Sequence, residues 1–448
     1  MLLNVASGRF RFPVSTVVLR SWVAIAGLSA TSALIAYYPR AALLDWAWMH
    51  ALTLLALFSA WLFNQAKGHW EKYWLAPAGI AALLYTFWFF VTNSDYLFSY
   101  DFRSVATAFP GFSKSRYFSD FQSVLLFLAP LAVQRYLSGR RSRVLGWLLV
   151  GLFYMLAFVA GSRSILAGQI VAHCLLFLAG GKGYLRQFRM YMLCWGAGFV
   201  LYWLIIVLYA PWSVSLGDPG QGRGAPAEAS VPVTGVVARY DSSGRGQLVE
   251  KSFRLMSSAP WLGIGGRHYG CFMKTDFHDP LNPDNGDAAH PHNAVLQLAV
   301  EWGLPVALAV TAGVAWLLIR IGMRIGRDQT EDVRLTLALF GGLLALLAHG
   351  MVTGVLNAPV SQMLLVLLLG WSISFASTKH VTLRSRAYAS TFCVAVAGLG
   401  LGMGWLFVQE ASDLILSANS NTGSVSPTWY LAPRFWQQGW LLPLCGGI

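Results

Sequence analysis

Apolar runs of about 20 residues, the length a helix needs to cross the hydrocarbon core of a bilayer, recur along almost the whole chain. Only 11% of the residues are charged, whereas a soluble globular chain has about 25%. We place eleven predicted spans at residues 15–38, 41–65, 73–92, 118–137, 144–162, 164–181, 190–211, 293–320, 333–352, 358–377 and 387–408. The sequence therefore predicts an all-α polytopic membrane protein with a bundle of about 11–12 transmembrane helices, the apolar tail 435–448 being the candidate for a twelfth.

The net charge of +13 is explained by the distribution of basic residues between the spans and does not indicate a nucleic-acid partner. If the N-terminus lies inside, short segments on the predicted cytoplasmic side contain 19 of the 32 Lys and Arg residues. Such enrichment is the positive-inside rule, by which basic residues near the ends of spans set their orientation. The same orientation puts the longer segments 93–117, 212–291 and the tail from 409 on the outer side.

The topology divides the chain into four regions. They are N-terminal transmembrane helices in 1–211, a large outer loop in 212–291, C-terminal transmembrane helices in 292–408 and a tail in 409–448. The loop begins with a stretch rich in Gly, Pro and Ser, which is typical of a flexible connection. Its later part mixes polar and apolar residues in the pattern of a short amphipathic helix, and the Gly-rich turn PWLGIGGRHYG follows. We expect this loop to lie against the outer mouth of the bundle, since it is too small and loop-rich for an independent domain.

Several arginines stand on the predicted outer side. Arg163 lies in a tight turn between two spans, where the positive-inside rule predicts few basic residues. The plainer alternative for Arg163 is a charge that snorkels to the membrane interface. Arg245 begins the amphipathic segment, and Arg254 and Arg267 follow it; alone, Arg245 would be an ordinary solvated loop residue. The cluster suits an anionic ligand such as a diphosphate, which guanidinium groups grip with paired hydrogen bonds.

Two histidines, His290 and His292, precede the apolar run that starts at Asn293. They are open to two interpretations: metal ligation with the acidic stretch 276–287, or general-base catalysis, for which the ordinary imidazole pKa of about 6.5 is suited. Asn293 has the residue type and place of a helix N-cap. His349, inside a predicted span, is a candidate for lining a polar cavity. The HxH pattern is a weak metal signal and the five cysteines form no CxxC, so we expect neither a metal nor a cofactor.

Three stretches taken together resemble the O-antigen ligase and polymerase superfamily. They are GSRS at 161–164, GRGQLVEKSFRLMSSAPWLGIG at 244–265 and HPHNAVLQLAVEWG at 290–303. Within the third, a His-Asn pair followed after nine residues by Gly303 is the signature associated with the ligases. The order of the stretches and the large outer loop extend the resemblance over residues 118–376.

The resemblance implies a GT-C-like glycosyltransferase that moves O-antigen polysaccharide from undecaprenyl diphosphate to a sugar hydroxyl of lipid A–core. The reaction would take place on the periplasmic face of the bacterial inner membrane, with inversion and without a metal. His292 would be the general base, and Arg163 and Arg245 would stabilise the leaving diphosphate. The partners would be the lipid-linked donor, lipid A–core and membrane lipids, and the chain would act as a monomer. The substrate-binding residues would be His290, Asn293, Arg254, Arg267 and His349.

Two positions depart from the ligase pattern, and other functions stay open. Val306 stands where Gly, Thr or Tyr is usual, and Ala167 stands where a leucine usually follows the turn arginine. The related alternatives are an O-antigen polymerase and a protein O-oligosaccharyltransferase. An alternative of a different class is a flippase or transporter of lipid-linked sugars. Transporters usually carry their binding residues mid-membrane within repeats, whereas these arginines and histidines gather at one predicted face, which favours an enzyme.

Overall fold

The computed structural model describes residues 11–12, 16–65, 70–94, 109–110, 112, 115–215, 245–270, 272, 290–326, 333–376 and 381–382. The predicted span 387–408, the tail, most of the outer segment 93–117, residues 216–244 of the outer loop and the acidic stretch 276–287 lie outside these residues.

Helices form almost all of the described chain. Their bounds are α1 Thr16–Ile35, α2 Pro39–Gln65, α3 Trp70–Thr92, α4 Ser115–Tyr136, α5 Arg140–Val159, α6 Arg163–Ser215, α7 Arg245–Ser258, α8 Ala294–Trp302, α9 Leu304–Ile325, α10 Val333–Gly350 and α11 Pro359–Ala376, with a 3-10 helix at Val355–Asn357. The two-residue strands β1 (Arg11–Phe12) and β2 (Val381–Thr382) pair antiparallel. Among the described residues, the prediction of an all-α architecture is confirmed apart from this short ladder.

Seven of the described helices are long and apolar enough to cross a membrane. Their apolar stretches are Val18–Ile35, Pro39–Gln65, Trp74–Thr92, Arg140–Val159, Arg163–Ile205, Leu304–Ile325 and Val333–Gly350, and Val360–Ala376 is a shorter apolar helix. These stretches confirm the polytopic membrane class by length and composition, since a helix bonds its own backbone groups and can therefore cross the hydrocarbon core.

The helices differ from the predicted spans at one of two places. The spans 164–181 and 190–211 correspond to the two arms of α6, which meet at a kink at Gly181, where φ is 51° and ψ is −138°. The single span at 293–320 was wrong: the structure breaks it at Gly303 into α8 and the longer α9. Gly303 has φ 84° and ψ 161°, a conformation that no helix contains. The amide of Leu304 then donates to the carbonyl of Pro260, 2.9 Å away, instead of to a carbonyl of α8.

The chain divides into two compact units, and each is described by itself. The first comprises Met1–Lys67, Gly244–Ile321 and Gly350–Ile448. In it, α2 packs against α1 and α11, and α7 packs against α8. One apolar cluster joins Ala33, Ala42 and Trp302, so the end of α8 is held against α1 and α2.

The second unit comprises Gly68–Ser243 and Gly322–His349. Its central helix is α4, which packs against α3, α5 and α6 and buries nearly every residue from Phe118 to Val133. Although most of α4 is buried, it is less apolar than the spans above, because it carries Asp120, Gln122 and Ser123. These polar side chains bond inside the protein; the Gln122 amide, for example, donates to the carbonyl of Phe153 at 2.6 Å.

Candidate active site

His290 and His292 form a compact turn in the first unit. The backbone N–H of His292 donates to Nδ1 of His290 at 3.2 Å, and the two rings meet edge to face with centroids 4.3 Å apart. Because Nδ1 accepts, a neutral His290 carries its proton on Nε2. The φ angle of His292 is 55°, in the left-handed region, which costs an L-residue about 1–2 kcal/mol. Residues held in such conformations concentrate at functional sites.

The environments of the two histidines differ. His290 is only 7% exposed, and its Nε2 lies against the backbone of Gly354, where an added Cβ would come within 2.5 Å of that nitrogen. His292 is partly exposed. His290 is therefore built into the fold between its neighbour's amide and Gly354, whereas part of the His292 side chain is accessible.

Asn293 is the N-cap of α8, as its position predicted. Its side-chain oxygen accepts the amide of Leu296 at 2.9 Å, and α8 begins at the next residue. The helix then runs for nine residues to Trp302 and ends at Gly303. Each part of the sequence signature thus has a structural counterpart. The histidine has a strained backbone, the asparagine caps the helix, the nine residues form the helix, and the glycine ends it.

A line of buried amide and carboxyl groups extends along α8. The Gln297 amide donates to Glu301 Oε2 and to Asn357 Oδ1, each at 3.3 Å, and Glu301 is 1% exposed. These groups border a cleft of about 10 Å³, which has room for about one water molecule. It is lined by Asp45, Met49, Gln297, Leu298, Glu301, Trp302, Leu356 and Gln362. The cleft is therefore too small for a polysaccharide, and its polar lining is largely bonded within the protein.

The amphipathic segment forms α7, and Arg245 is its first residue, as predicted. The side chain of Arg245 lies outside the described residues. Arg254 lies on the exposed face and forms an ion pair with Glu250 at 2.6 Å. The opposite face is fixed by Ser252, whose hydroxyl lies 2.9 Å from that of Tyr269. Burial, aided by the nearby charge of Glu301, raises the pKa of Tyr269 to about 12 against an opposing hydrogen bond from Ser252, so this phenol stays neutral at physiological pH.

The Gly-rich turn after α7 closes the C-terminal end of α8. The amides of Ile264 and Gly265 donate to the carbonyls of Val300 and Glu301, each at 2.9 Å, and so satisfy groups that the end of a helix leaves open. Arg267 follows with a φ of 68°. The turn is thus a structural clasp that brings α7 and α8 into one body, and Arg267 is part of it.

Arg163 and His349 lie in the second unit. Arg163 is exposed at the first residue of α6, directly after a turn in which Gly161 has a φ of 59°. His349 is fully buried, and both ring nitrogens are engaged: Nε2 lies 2.7 Å from the Ser164 hydroxyl and Nδ1 lies 2.9 Å from that of Ser123. Asp120 Oδ1 is 3.4 Å from the same Nδ1. The burial of His349 favours an action through Ser164 over direct contact with a ligand.

Sequence reasoning missed several of these polar residues. Asp120 and Ser123 belong to no motif, and Ser164 lies in the GSRS stretch but was not a predicted site residue. All three meet His349, across as many as 226 residues of chain. Asp120 gave the one usable signal, a carboxylate inside a predicted span, which is rarely without a function.

Among the described residues, no group of three or more His, Cys, Asp or Glu side chains is arranged to hold a metal ion. The acidic stretch of the metal interpretation lies outside them, so the expectation of no metal stays a prediction.

No curated protein matches the chain. The family model for O-antigen ligase matches residues 136–311. That segment runs from the end of α4 into α9 and contains all three stretches that carry the resemblance in the sequence, with Arg163, Arg245 and His292 among them. The match shows that residues 136–311, about two fifths of the chain, are similar to the O-antigen ligase family.

Proposed function

We propose that the protein is an O-antigen ligase, which transfers O-antigen polysaccharide from undecaprenyl diphosphate to a sugar hydroxyl of lipid A–core. The observation that carries this proposal is the turn at His292. A histidine held in a left-handed backbone conformation, partly exposed and fixed by a buried neighbour, suits a positioned general base.

His292 is the base in this proposal, and His290 is a positioning residue. Nδ1 of His290 accepts the His292 amide and its Nε2 faces backbone, so His290 is poorly placed to take up a further proton. The acceptor hydroxyl loses its proton to His292 as its oxygen attacks the anomeric carbon. The bond from that carbon to the diphosphate oxygen breaks, and undecaprenyl diphosphate leaves with the electron pair. One displacement of this kind inverts the anomeric centre.

The leaving diphosphate gains negative charge, which Arg163 and Arg245 stabilise in this proposal. A guanidinium binds two phosphate oxygens at once, so two arginines can do what many glycosyltransferases assign to a divalent metal. Asn293, Arg254 and Arg267 are proposed to contact the substrates, although Asn293 also caps α8 and Arg254 pairs with Glu250. The chain would be a monomer of GT-C-like architecture in the inner membrane, with these residues on the periplasmic face.

The test uses purified protein in detergent with lipid-linked O-polysaccharide, lipid A–core and EDTA, and follows capped lipopolysaccharide on a gel. The key variant is His292→Gly, because glycine adopts a positive φ without strain and leaves room for free imidazole. We expect transfer to fall by about 10²–10⁴-fold and to recover in part when imidazole is added. His292→Asn, which also tolerates this backbone conformation, should be inactive and should not respond to imidazole.

Matched arginine variants test the charge stabilisation. Arg163→Ala and Arg245→Ala should lose most transfer, whereas Arg141→Ala, an exposed arginine at the start of α5, should retain it. Full activity of a folded His292→Gly protein would refute the base assignment. Chain growth on the lipid carrier without capping of lipid A–core would assign the protein as a polymerase. Failure of wild type to transfer under any condition, with movement of the donor across vesicles, would assign it as a flippase.

A further inference from the structure

Three side chains of the second unit, Ser164, His349 and Asp120, are arranged like a nucleophile, its base and a carboxylate beside the base. Ser164 Oγ lies 2.7 Å from His349 Nε2, and Asp120 Oδ1 lies 3.4 Å from His349 Nδ1. A nucleophile in hydrogen-bond reach of a base, with the base oriented by a third group, is the geometric signature of nucleophilic catalysis. His349 and Asp120 are 0% and 2% exposed, whereas Ser164 is partly exposed at the first turn of α6.

One tautomer of His349 gives these hydrogen bonds the direction that the proposal uses. In it, the Ser123 hydroxyl donates to the carbonyl of Ser119 at 2.8 Å and accepts the proton of His349 Nδ1 at 2.9 Å. Nε2 is then unprotonated and accepts the hydroxyl proton of Ser164, whose oxygen also lies 2.8 Å from that of Ser162.

A purely structural role explains these groups poorly. A hydroxyl already satisfies Nδ1, so the histidine does not need a carboxylate in order to pack. Burying a carboxylate within an apolar helix bundle is costly, and such residues usually serve a function. What Asp120 adds is stabilisation of the imidazolium that forms when His349 takes a proton from Ser164. Gly168 permits the close approach of α6 to α10, since a Cβ at this position would lie 3.0 Å from the carbonyl of Ala345 on α10.

Arg163, the residue before Ser164, indicates which electrophile the serine would attack. Arg163 precedes Ser164 directly and is exposed at the same turn. An arginine beside an activated serine suits a phosphorus centre, whose charge is spread over several oxygens. The proposed function already places a lipid diphosphate at Arg163, and the inference rests on that placement.

We propose that Ser164 is the nucleophile of a second activity, the hydrolysis of a lipid diphosphate to the lipid monophosphate and inorganic phosphate. Ser164 Oγ bonds to the terminal phosphorus, its proton passes to His349 Nε2, and the bridging P–O bond breaks to release the lipid monophosphate. Water then attacks the phosphoserine, its oxygen bonds to phosphorus, and the bond from phosphorus to Ser164 Oγ breaks. Ser164 regains its proton from His349 and phosphate leaves. The diphosphate lipid released by polysaccharide transfer would be the substrate.

The test measures inorganic phosphate released from farnesyl diphosphate and undecaprenyl diphosphate by the purified full-length protein. Ser164→Ala and His349→Ala should each lower the release by about 10²-fold or more. Ser142→Ala, an exposed serine at the start of α5, is the matched control and should release phosphate like wild type. A preparation of Ser164→Ala also reports any contaminating phosphatase.

Direct trapping removes dependence on the variants. Wild type quenched in acid during turnover should carry phosphate on Ser164, located by mass spectrometry of the peptide. His292→Gly should lose transfer and keep phosphate release. Wild type that transfers polysaccharide but forms no phosphoserine and releases no phosphate would overturn the inference and leave the proposed function intact. Phosphate release that depends on Ser164, in a protein that transfers no polysaccharide, would support the inference and overturn the proposed function.

Discussion

The glycine that ends α8 gives the sharpest stability prediction. Gly303 has φ 84° and ψ 161°, a region that is almost exclusive to glycine and costs other residues about 1–3 kcal/mol. An added Cβ would lie 2.3 Å from the carbonyl oxygen of Trp261, which is backbone and cannot rotate away. Relief of that clash moves the clasp and weakens the Leu304-to-Pro260 hydrogen bond, worth about 1 kcal/mol. Gly303→Ala should therefore destabilise the protein by about 2–4 kcal/mol.

The assay is the unfolding temperature in detergent, followed by intrinsic tryptophan fluorescence. The control is the same substitution at Gly313 within α9, where a Cβ would meet nothing within 4 Å and alanine is the better helix former. We expect Gly303→Ala to unfold several degrees below wild type, with reduced transfer because the site is built on α8, and Gly313→Ala to match wild type or exceed it. Equal unfolding temperatures for wild type and Gly303→Ala would refute the argument from backbone strain.

Three further predictions concern the same unit. Unfolded tyrosine ionises near pH 10, whereas the pKa of Tyr269 is about 12, so the contribution of this residue to stability should be lost as pH rises from about 10 to 12; Tyr269→Phe should flatten that fall in unfolding temperature. Asn293→Ala should cost about 1 kcal/mol through the lost cap, while Asn293→Ser should keep the stability; loss of transfer by the serine variant would add substrate contact to its role. Arg254→Ala should change stability by less than about 0.5 kcal/mol, since its ion pair with Glu250 is exposed, and a raised KM for the donor would identify Arg254 as a binding residue.

The spacing in the family signature has a structural explanation in this chain. Asn293 caps α8, the helix runs for nine residues, and Gly303 stops it where the clasp crosses. The signature therefore describes the length of one short helix that holds His292 at its start. A glycine at the end keeps that helix docked, so the signature sets both the length of α8 and the position of His292 before it.

The sequence determined the membrane class and most helix positions. Hydropathy depends on composition within a window of about 20 residues, so α1, α2, α3 and α5 could be read from their own residues. The cap at Asn293 and the start of α7 at Arg245 were equally local, because capping and amphipathic pattern involve only near neighbours.

The tertiary structure alone decided the break at Gly303 and the environment of His349. The break depends on the carbonyl of Pro260, and Ser164 and His349 meet across 185 residues of chain. The sequence favoured His292 over His290 as the base only through the resemblance, and the fold adds the physical difference: His290 packs on Gly354, whereas His292 is strained and partly exposed. A hydrogen bond joins atoms about 3 Å apart in space, whatever their separation along the chain. Sequence patterns within a window of about 20 residues therefore cannot predict contacts between distant residues.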